Sequence, residues 1–391
     1  MADRAAPSEG DGGDDGDVAP RRLREVIRLF LELGVIGFGG PAAHIAMMRD
    51  EVVRRRGWID DTEFVELVGA TNLIPGPNST ELAMHLGARR AGGRGLVAAG
   101  VCFIAPAVII VSLLAWLYQR YGTDPAVVDL RYGILPVIIA IVAHALVGLG
   151  RTALTTIVNA LIAVTALAAY LADVHELIVL IAAGALSALW SNRRALAQRR
   201  SLGVIALPIL ATTGSPTVSL WRLFLVFLEI GSVLYGSGYV LLAFLQRHLV
   251  DDLGWLTSRQ LLDAVAVGQV TPGPVFTTAT FVGWQIDGPA GAAVGTIGIF
   301  LPSFIFVGLL GRIVPWMRRR PTANAFLAGV TAASLGLMGG VLVELTDTAL
   351  TDLFTVAVAI VALVVLVRTR INSAWLVGAG FLIGSSHVLI G

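Results

Sequence analysis

The chain has 391 residues, 56% of them apolar and only 14% charged, about half the charge of a soluble domain. Its 28 basic residues, all arginine, face 27 acids for a net charge of +1. The lack of lysine excludes Schiff-base chemistry and a Walker phosphate loop, and with no large hydrophilic stretch either, this chain alone is not expected to pump by ATP hydrolysis; the single Cys102 excludes an intrachain disulfide or a thiol metal cluster.

Residues 1–20 set six acids against Arg4 among many glycines, which predicts a disordered acidic tail. That tail lacks the basic start and apolar centre of a signal peptide, so the first hydrophobic segment is expected to insert uncleaved. Residues 21–200 carry apolar segments at 26–48, 62–88, 95–118, 132–150, 153–171 and 175–191. Each approaches the ~20 residues that cross a bilayer core as a helix. They do not alternate polar with apolar positions as barrel strands would. The first two are interrupted by Gly39-Gly40-Pro41 and Pro75-Gly76-Pro77. Proline removes an amide donor and clashes with the preceding turn, so neither segment is predicted to run through as one helix.

Residues 201–221 read as a connection, and from 222 to 391 the pattern is written again. Segments recur at 222–245, 259–286, 291–315, 323–343, 353–367 and 374–390, with breaks at Gly236-Ser237-Gly238 and Pro272-Gly273-Pro274. Phe30-Leu31-Glu32-Leu33-Gly34 returns as Phe227-Leu228-Glu229-Ile230-Gly231, Trp58 as Trp255, and Gly92, Gly95 and Pro106 as Gly288, Gly291 and Pro302. The expected fold is an all-α polytopic membrane protein of two homologous helical repeats with re-entrant segments.

Arginine in short loops marks the cytoplasmic side. Loop 49–57 has Arg49, Arg54, Arg55 and Arg56, whereas its counterpart 246–254 has only Arg247 beside Asp251 and Asp252. Equivalent loops are therefore predicted to face opposite sides, the pattern of an inverted repeat enclosing a midplane site. Arginines on both flanks of 26–48 and of 62–88 predict that each goes in and comes back, while Asp173, Glu344 and Asp347 fall outside.

The helix starts after the two Pro-Gly-Pro turns offer amides and a positive dipole end to an anion. Asn78, Ser79 and Thr80 follow the first turn and Thr277, Thr278 and Thr280 the second, with Asn72 and Gln269 just before. The predicted binding set is Pro75, Gly76, Pro77, Asn78, Ser79, Asn72, Pro272, Gly273, Pro274, Thr277 and Gln269, with Gly39, Gly40 and Gly236 of the other breaks. Such neutral donors suit an anion that must also leave. Glu32 and Glu229, equivalent carboxylates in apolar segments, are the first candidates for proton coupling. Glu81, which shares a helical face with His85 and has no charged counterpart, is the third. The six histidines show no metal-ligand spacing, and no serine-nucleophile, paired-carboxylate or zinc signature is present, so neither an enzyme nor a cofactor is expected.

The string Phe30–Pro41, the Arg-rich stretch Met48–Trp58 and Pro75-Gly76-Pro77, repeated in Phe227–Gly238 and Pro272-Gly273-Pro274, resembles the chromate ion transporter family of bacteria and archaea. The resemblance covers residues 22–390, the long bidomain form, and departs where Gly236-Ser237-Gly238 replaces an expected Gly-Gly-Gly run. It implies a multi-pass permease of the plasma membrane, the bacterial inner membrane, that exports chromate by the proton motive force and confers chromate resistance. The implied partners are chromate or a similar oxyanion, protons and the lipid bilayer, without nucleic acid; homo-oligomerisation is left open. The alternatives are a passive anion channel and a transporter of sulfate or another oxyanion.

Overall fold

The computed structural model describes residues 15–38, 40–71, 73–122, 124–196, 219–235, 240–318, 321–369, 371 and 373–390. Of the stretch read as an acidic tail, 1–14 lie outside the described residues and 15–20 open the first helix; most of the connecting segment also lies outside. Among the described residues the chain forms fourteen α-helices and no strand. The first repeat contains α1 (Asp15–Ile36), α2 (Gly40–Arg49), α3 (Asp61–Thr71), α4 (Asn78–Tyr121), α5 (Pro125–Ala153), α6 (Ile157–Leu171) and α7 (Glu176–Leu196). The second contains α8 (Leu220–Val233), α9 (Leu241–Leu245), α10 (Ser258–Val270), α11 (Thr278–Arg318), α12 (Pro321–Ala349), α13 (Leu353–Arg368) and α14 (Ser373–Ile390). The seven match one to one, down to the π-helical turns Asp50–Arg55 and Gln246–Asp252 that follow α2 and α9.

α4 and α11 are each two arms of a hairpin. The backbone reverses at Ala91-Gly92 (Gly92 φ 63°, ψ −151°) and at Asp287-Gly288 (Gly288 φ 55°, ψ −145°), a conformation that glycine reaches without a Cβ clash. The arms then pack so closely at Gly87 on Gly95, and at Gly283 on Gly291, that a Cβ on any of the four would strike the facing carbonyl. Small residues that let backbones approach supply helix association in lipid, where apolar burial gives little driving force.

The halves interlock reciprocally. The α6–α7 hairpin of the first repeat packs on α12, the α13–α14 hairpin of the second packs on α5, and α4 meets α11 between them. Gly133 lies against Gly380, and its counterpart Gly329 against Ala183. By length and composition, four stretches among the described residues are long and apolar enough to cross a membrane: Asn78–Tyr121, Tyr132–Ala153, Val275–Leu309 and Pro321–Ala349.

Ion pairs show which loops share an end. Arg89 pairs with Glu63, Arg90 with Glu25 at 2.6 Å and Arg49 with Asp61 at 2.8 Å, and Trp58 lies under the guanidinium groups of Arg56 and Arg90. The Arg49 guanidinium holds the Asp61 carboxyl below the usual carboxylate range. Segments 26–48 and 62–88 therefore both return to the end they left. The equivalent loop of the second repeat lies elsewhere: Arg247 bonds Asp173 at 2.8 Å and Gln246 bonds Glu344 at 2.5 Å. Three traverses, the second arm of α4, then α5 and α6, separate residues 89–94 from Asp173, so the two loops occupy opposite ends of the bundle.

Cysteines placed at the exposed Arg55 and Asp251 in a Cys102→Ala background are expected to label with impermeant maleimide from opposite membrane faces, Arg55 from the cytoplasm. Labelling from one face would refute the assignment of bundle ends to membrane sides.

Candidate functional site

Both Pro-Gly-Pro turns are buried at the contact between the repeats. Each glycine donates its amide across the molecule: Gly76 N–H to the Leu234 carbonyl at 2.9 Å, and Gly273 N–H to the Gly37 carbonyl at 2.8 Å. Gly37 and Leu234 occupy equivalent positions past the ends of α1 and α8, so the two bonds are one contact used twice. The sequence suggested turn amides open to an anion. Here the two glycine amides are already bonded, because a buried N–H without a partner is costly and the break in each facing segment supplies a carbonyl. At the start of α4 the Thr80 and Glu81 amides donate to the Pro77 carbonyl at 2.8 and 3.1 Å, and Pro77 at the N-cap gives no side-chain bond.

The side chains around the turns break the symmetry. The Gly37 carbonyl that Gly273 of the second turn bonds also accepts from His44 Nε2 at 2.9 Å, which leaves His44 Nδ1 to accept from the hydroxyl of Ser79, beside the first turn, at 3.3 Å. Thr80 and Glu81 follow, both fully buried. The Ser303 hydroxyl of α11, also fully buried, donates to Glu81 Oε1 at 3.1 Å. Among the described residues Glu81 Oε2 and Thr80 Oγ1 have no hydrogen-bond partner. The equivalent positions at the second turn are Leu241, Phe276, Thr277, Thr278 and Ala107. There Thr277 and Thr278 turn their hydroxyls onto the Pro274 and Val275 carbonyls at 2.8 Å each. One turn is thus lined by a carboxyl group and several hydroxyls, whereas the other is capped by its own backbone and packed with apolar groups.

The remaining sequence candidates are dispersed. Gln269 is buried in α10, Asn78 half-buried at the start of α4, and Gly40 opens α2 with φ 76°. Gly39, Asn72 and Gly236 lie outside the described residues. Glu32 is exposed on the flank of α1. Glu229 is half-buried, its Oε1 lying 3.8 Å from His248 Nε2. Neither shares a hydrogen bond or ion pair with Glu81. Sequence reasoning noted of His44 only that the six histidines lack metal-ligand spacing, and it did not name Ser303. Aligning the repeats carried the signal for Ser303: it sits next to Pro302, which matches Pro106, and stands where the first repeat has Ala107.

An apolar cavity of about 540 Å³ lies between the outer part of α4, α5, α10 and α14. Its polar feature is Asp263, bonded by the Tyr118 hydroxyl at 2.6 Å.

A family model described as chromate transporter matches residues 24–189 and 221–385, one match in each repeat. The probable chromate transport protein of Synechococcus elongatus is 31% identical over 352 residues, 88% of this chain and 89% of its own length. The chromate transport protein of Cupriavidus metallidurans is 31% identical over 374 residues, covering 93% and 92%. That of Pseudomonas aeruginosa is 32% identical over 342 residues, covering 84% and 82%. No solved structure matches.

Proposed function

Because this chain belongs to the chromate transporter family, we propose that it exports chromate across the plasma membrane, that the proton gradient contributes to the drive, and that the first Pro-Gly-Pro turn is where oxyanion and proton meet. The observation that carries this reading is Glu81: fully buried, one turn past the break, bonded across the repeat boundary to Ser303, with its second oxygen unpartnered. An ionisable group inside a membrane protein is costly to keep and is by default functional.

Electrostatics makes such a group an effective coupler. A unit charge ~5 Å from another is worth about 3 kcal/mol at an effective dielectric constant of ~20, so an ionised Glu81 and a tetrahedral dianion on Ser79, Thr80 and Ser303 exclude one another. Gaining or losing one proton then changes oxyanion affinity by a factor on the order of a hundred or more. The membrane potential helps separately. A dianion leaving a negative interior gains about 5 kcal/mol per 100 mV, so accumulation against a concentration gradient does not by itself demonstrate proton coupling.

The test uses inverted vesicles containing the wild-type chain, with the potential clamped at zero and only a pH gradient imposed. Chromate accumulation under those conditions is expected, with chromate itself a better competitor than sulfate, molybdate or phosphate. Accumulation that needs the potential and ignores the pH gradient would identify a passive anion pathway, and stronger competition by sulfate would reassign the substrate. Glu32→Gln is expected to stay within about twofold of wild type, because its side chain is exposed on α1 and shares no hydrogen bond or ion pair with Glu81. A full loss of pH-driven uptake in that variant would move the coupling site to α1.

A further inference from the structure

At the opposite end of the second repeat's re-entrant segments, four titratable side chains form a continuous chain across the repeat boundary. Glu229 of α8 places Oε1 3.8 Å from His248 Nε2. The His248 ring meets the His175 ring edge-on, with centroids 6.0 Å apart. His175 Nδ1 lies 3.6 Å from Glu176 Oε2. Glu176 opens α7 and is fully buried, and among the described residues neither of its carboxyl oxygens has a hydrogen-bond partner.

The surrounding groups are already engaged. Arg247 of the π-helical turn gives its guanidinium to Asp173 at 2.8 Å and to Asp252 at 3.4 Å. Gln246 takes Glu344 of α12 at 2.5 Å, Asp251 at 3.2 Å and Ser258 at 3.1 Å. The Tyr170 hydroxyl of α6 closes on the other Glu344 oxygen at 2.8 Å. Among the described residues the ionisable nitrogen in contact with Glu176 is His175 Nδ1, and the charges of His248 and Arg247 act on the same carboxyl group from farther away. We propose that Glu229, His248, His175 and Glu176 constitute a proton-binding site shared by the two repeats, at the end of the bundle that the arginine distribution assigns to the outside.

The tautomers fit this assignment. His248 Nδ1 lies 3.0 Å from the Phe244 carbonyl and must carry a hydrogen, so Nε2, facing Glu229, is the nitrogen that gains the second proton. His175 Nδ1 accepts from the Leu177 amide at 3.3 Å. Burial opposes a charge on His248, but the Glu229 carboxylate 3.8 Å away and the nearby Glu176 outweigh it and hold this histidine above the ordinary imidazole range. His175 moves the other way, lowered by burial and then by the charge on His248. One proton on the pair is favoured and a second is resisted.

Duplication did not impose this site. The counterpart of His248 is Glu51, which pairs with Arg55 and Arg56, and the stretch matching His175-Glu176, residues 371–373, contains neither histidine nor acid. The site is one-sided although the helices that carry it repeat, as a group that samples one compartment would be. It stands whether or not transport is proton-driven.

Infrared titration of the purified chain in lipid nanodiscs tests it through the carbonyl stretch of protonated carboxyl groups. One titrating band, present in wild type and in Glu81→Gln, is expected to vanish in Glu176→Gln. Its midpoint should rise by about one pH unit or more in His248→Asn, the size expected when a neighbouring positive charge is lost. The proposal is overturned if Glu176→Gln retains every wild-type band, or if the midpoint is unmoved in both His248→Asn and His175→Asn. A band lost only in Glu81→Gln bears on the coupling reading and leaves this one standing.

Discussion

Glu81→Gln is expected to abolish chromate accumulation driven by a pH gradient while the component driven by membrane potential persists. Glutamine keeps the size of the side chain and an oxygen for the Ser303 hydroxyl, so packing at the first turn survives. What disappears is the capacity to change charge beside the hydroxyl donors, and with it the switch in oxyanion affinity, about 3 kcal/mol per unit charge at ~5 Å. Ser303→Ala provides the graded comparison. It leaves the carboxyl group buried and removes the hydroxyl donor on Oε1, and should weaken transport without eliminating its dependence on pH. Equal pH-driven accumulation in wild type and Glu81→Gln would remove this carboxyl group from the coupling mechanism. The measurement is chromate uptake in inverted vesicles with potential and pH gradient imposed separately and protein content matched by immunoblot.

Gly76→Val is expected to eliminate transport under either driving force, with the protein still inserted in the membrane. Gly76 has φ +136°, and a Cβ there would fall on Glu81 Oε1 and the Ser303 hydroxyl. Conformational strain of about 1–3 kcal/mol thus coincides with displacement of the groups proposed to handle proton and anion, and the bond from Gly76 to Leu234 is pulled out of line. Gly273, at φ +94°, is the control within the molecule, because its Cβ would meet the methyl group of Ala107 at 2.7 Å and no charged or hydroxyl side chain. Gly273→Ala should impair transport less than Gly76→Ala, and Ala107→Gly should restore part of it by clearing the methyl group. Equal damage at the two turns, or equal tolerance, would argue against the functional asymmetry between the repeats.

Much of the architecture is legible in the residues alone. Apolar runs near bilayer length and scarce charge require membrane helices, since no soluble surface can be built from them. Recurrence of Phe-Leu-Glu and Pro-Gly-Pro reveals two repeats, and the exchange of four arginines in loop 49–57 for Arg247, Asp251 and Asp252 in loop 246–254 already orients those loops oppositely. These properties depend on composition and order along the chain, which a sequence displays directly. Glu32 and Glu229 looked equivalent for the same reason: their neighbours in sequence are the same.

Only the packed structure distinguishes them, placing Glu32 on an exposed flank and Glu229 against His248. It likewise decides that Gly76 and Gly273 bond carbonyls of the opposite repeat, and that Glu81 meets Ser303 from a helix more than two hundred residues away. A helix in lipid is apolar on its outer face as well as its inner one, so hydrophobic periodicity does not say which side looks inward. Which polar side chain is buried, and against what, is set by the helices that cover it. In this chain the interlock of α5, α6 and α7 with α12, α13 and α14 makes that selection.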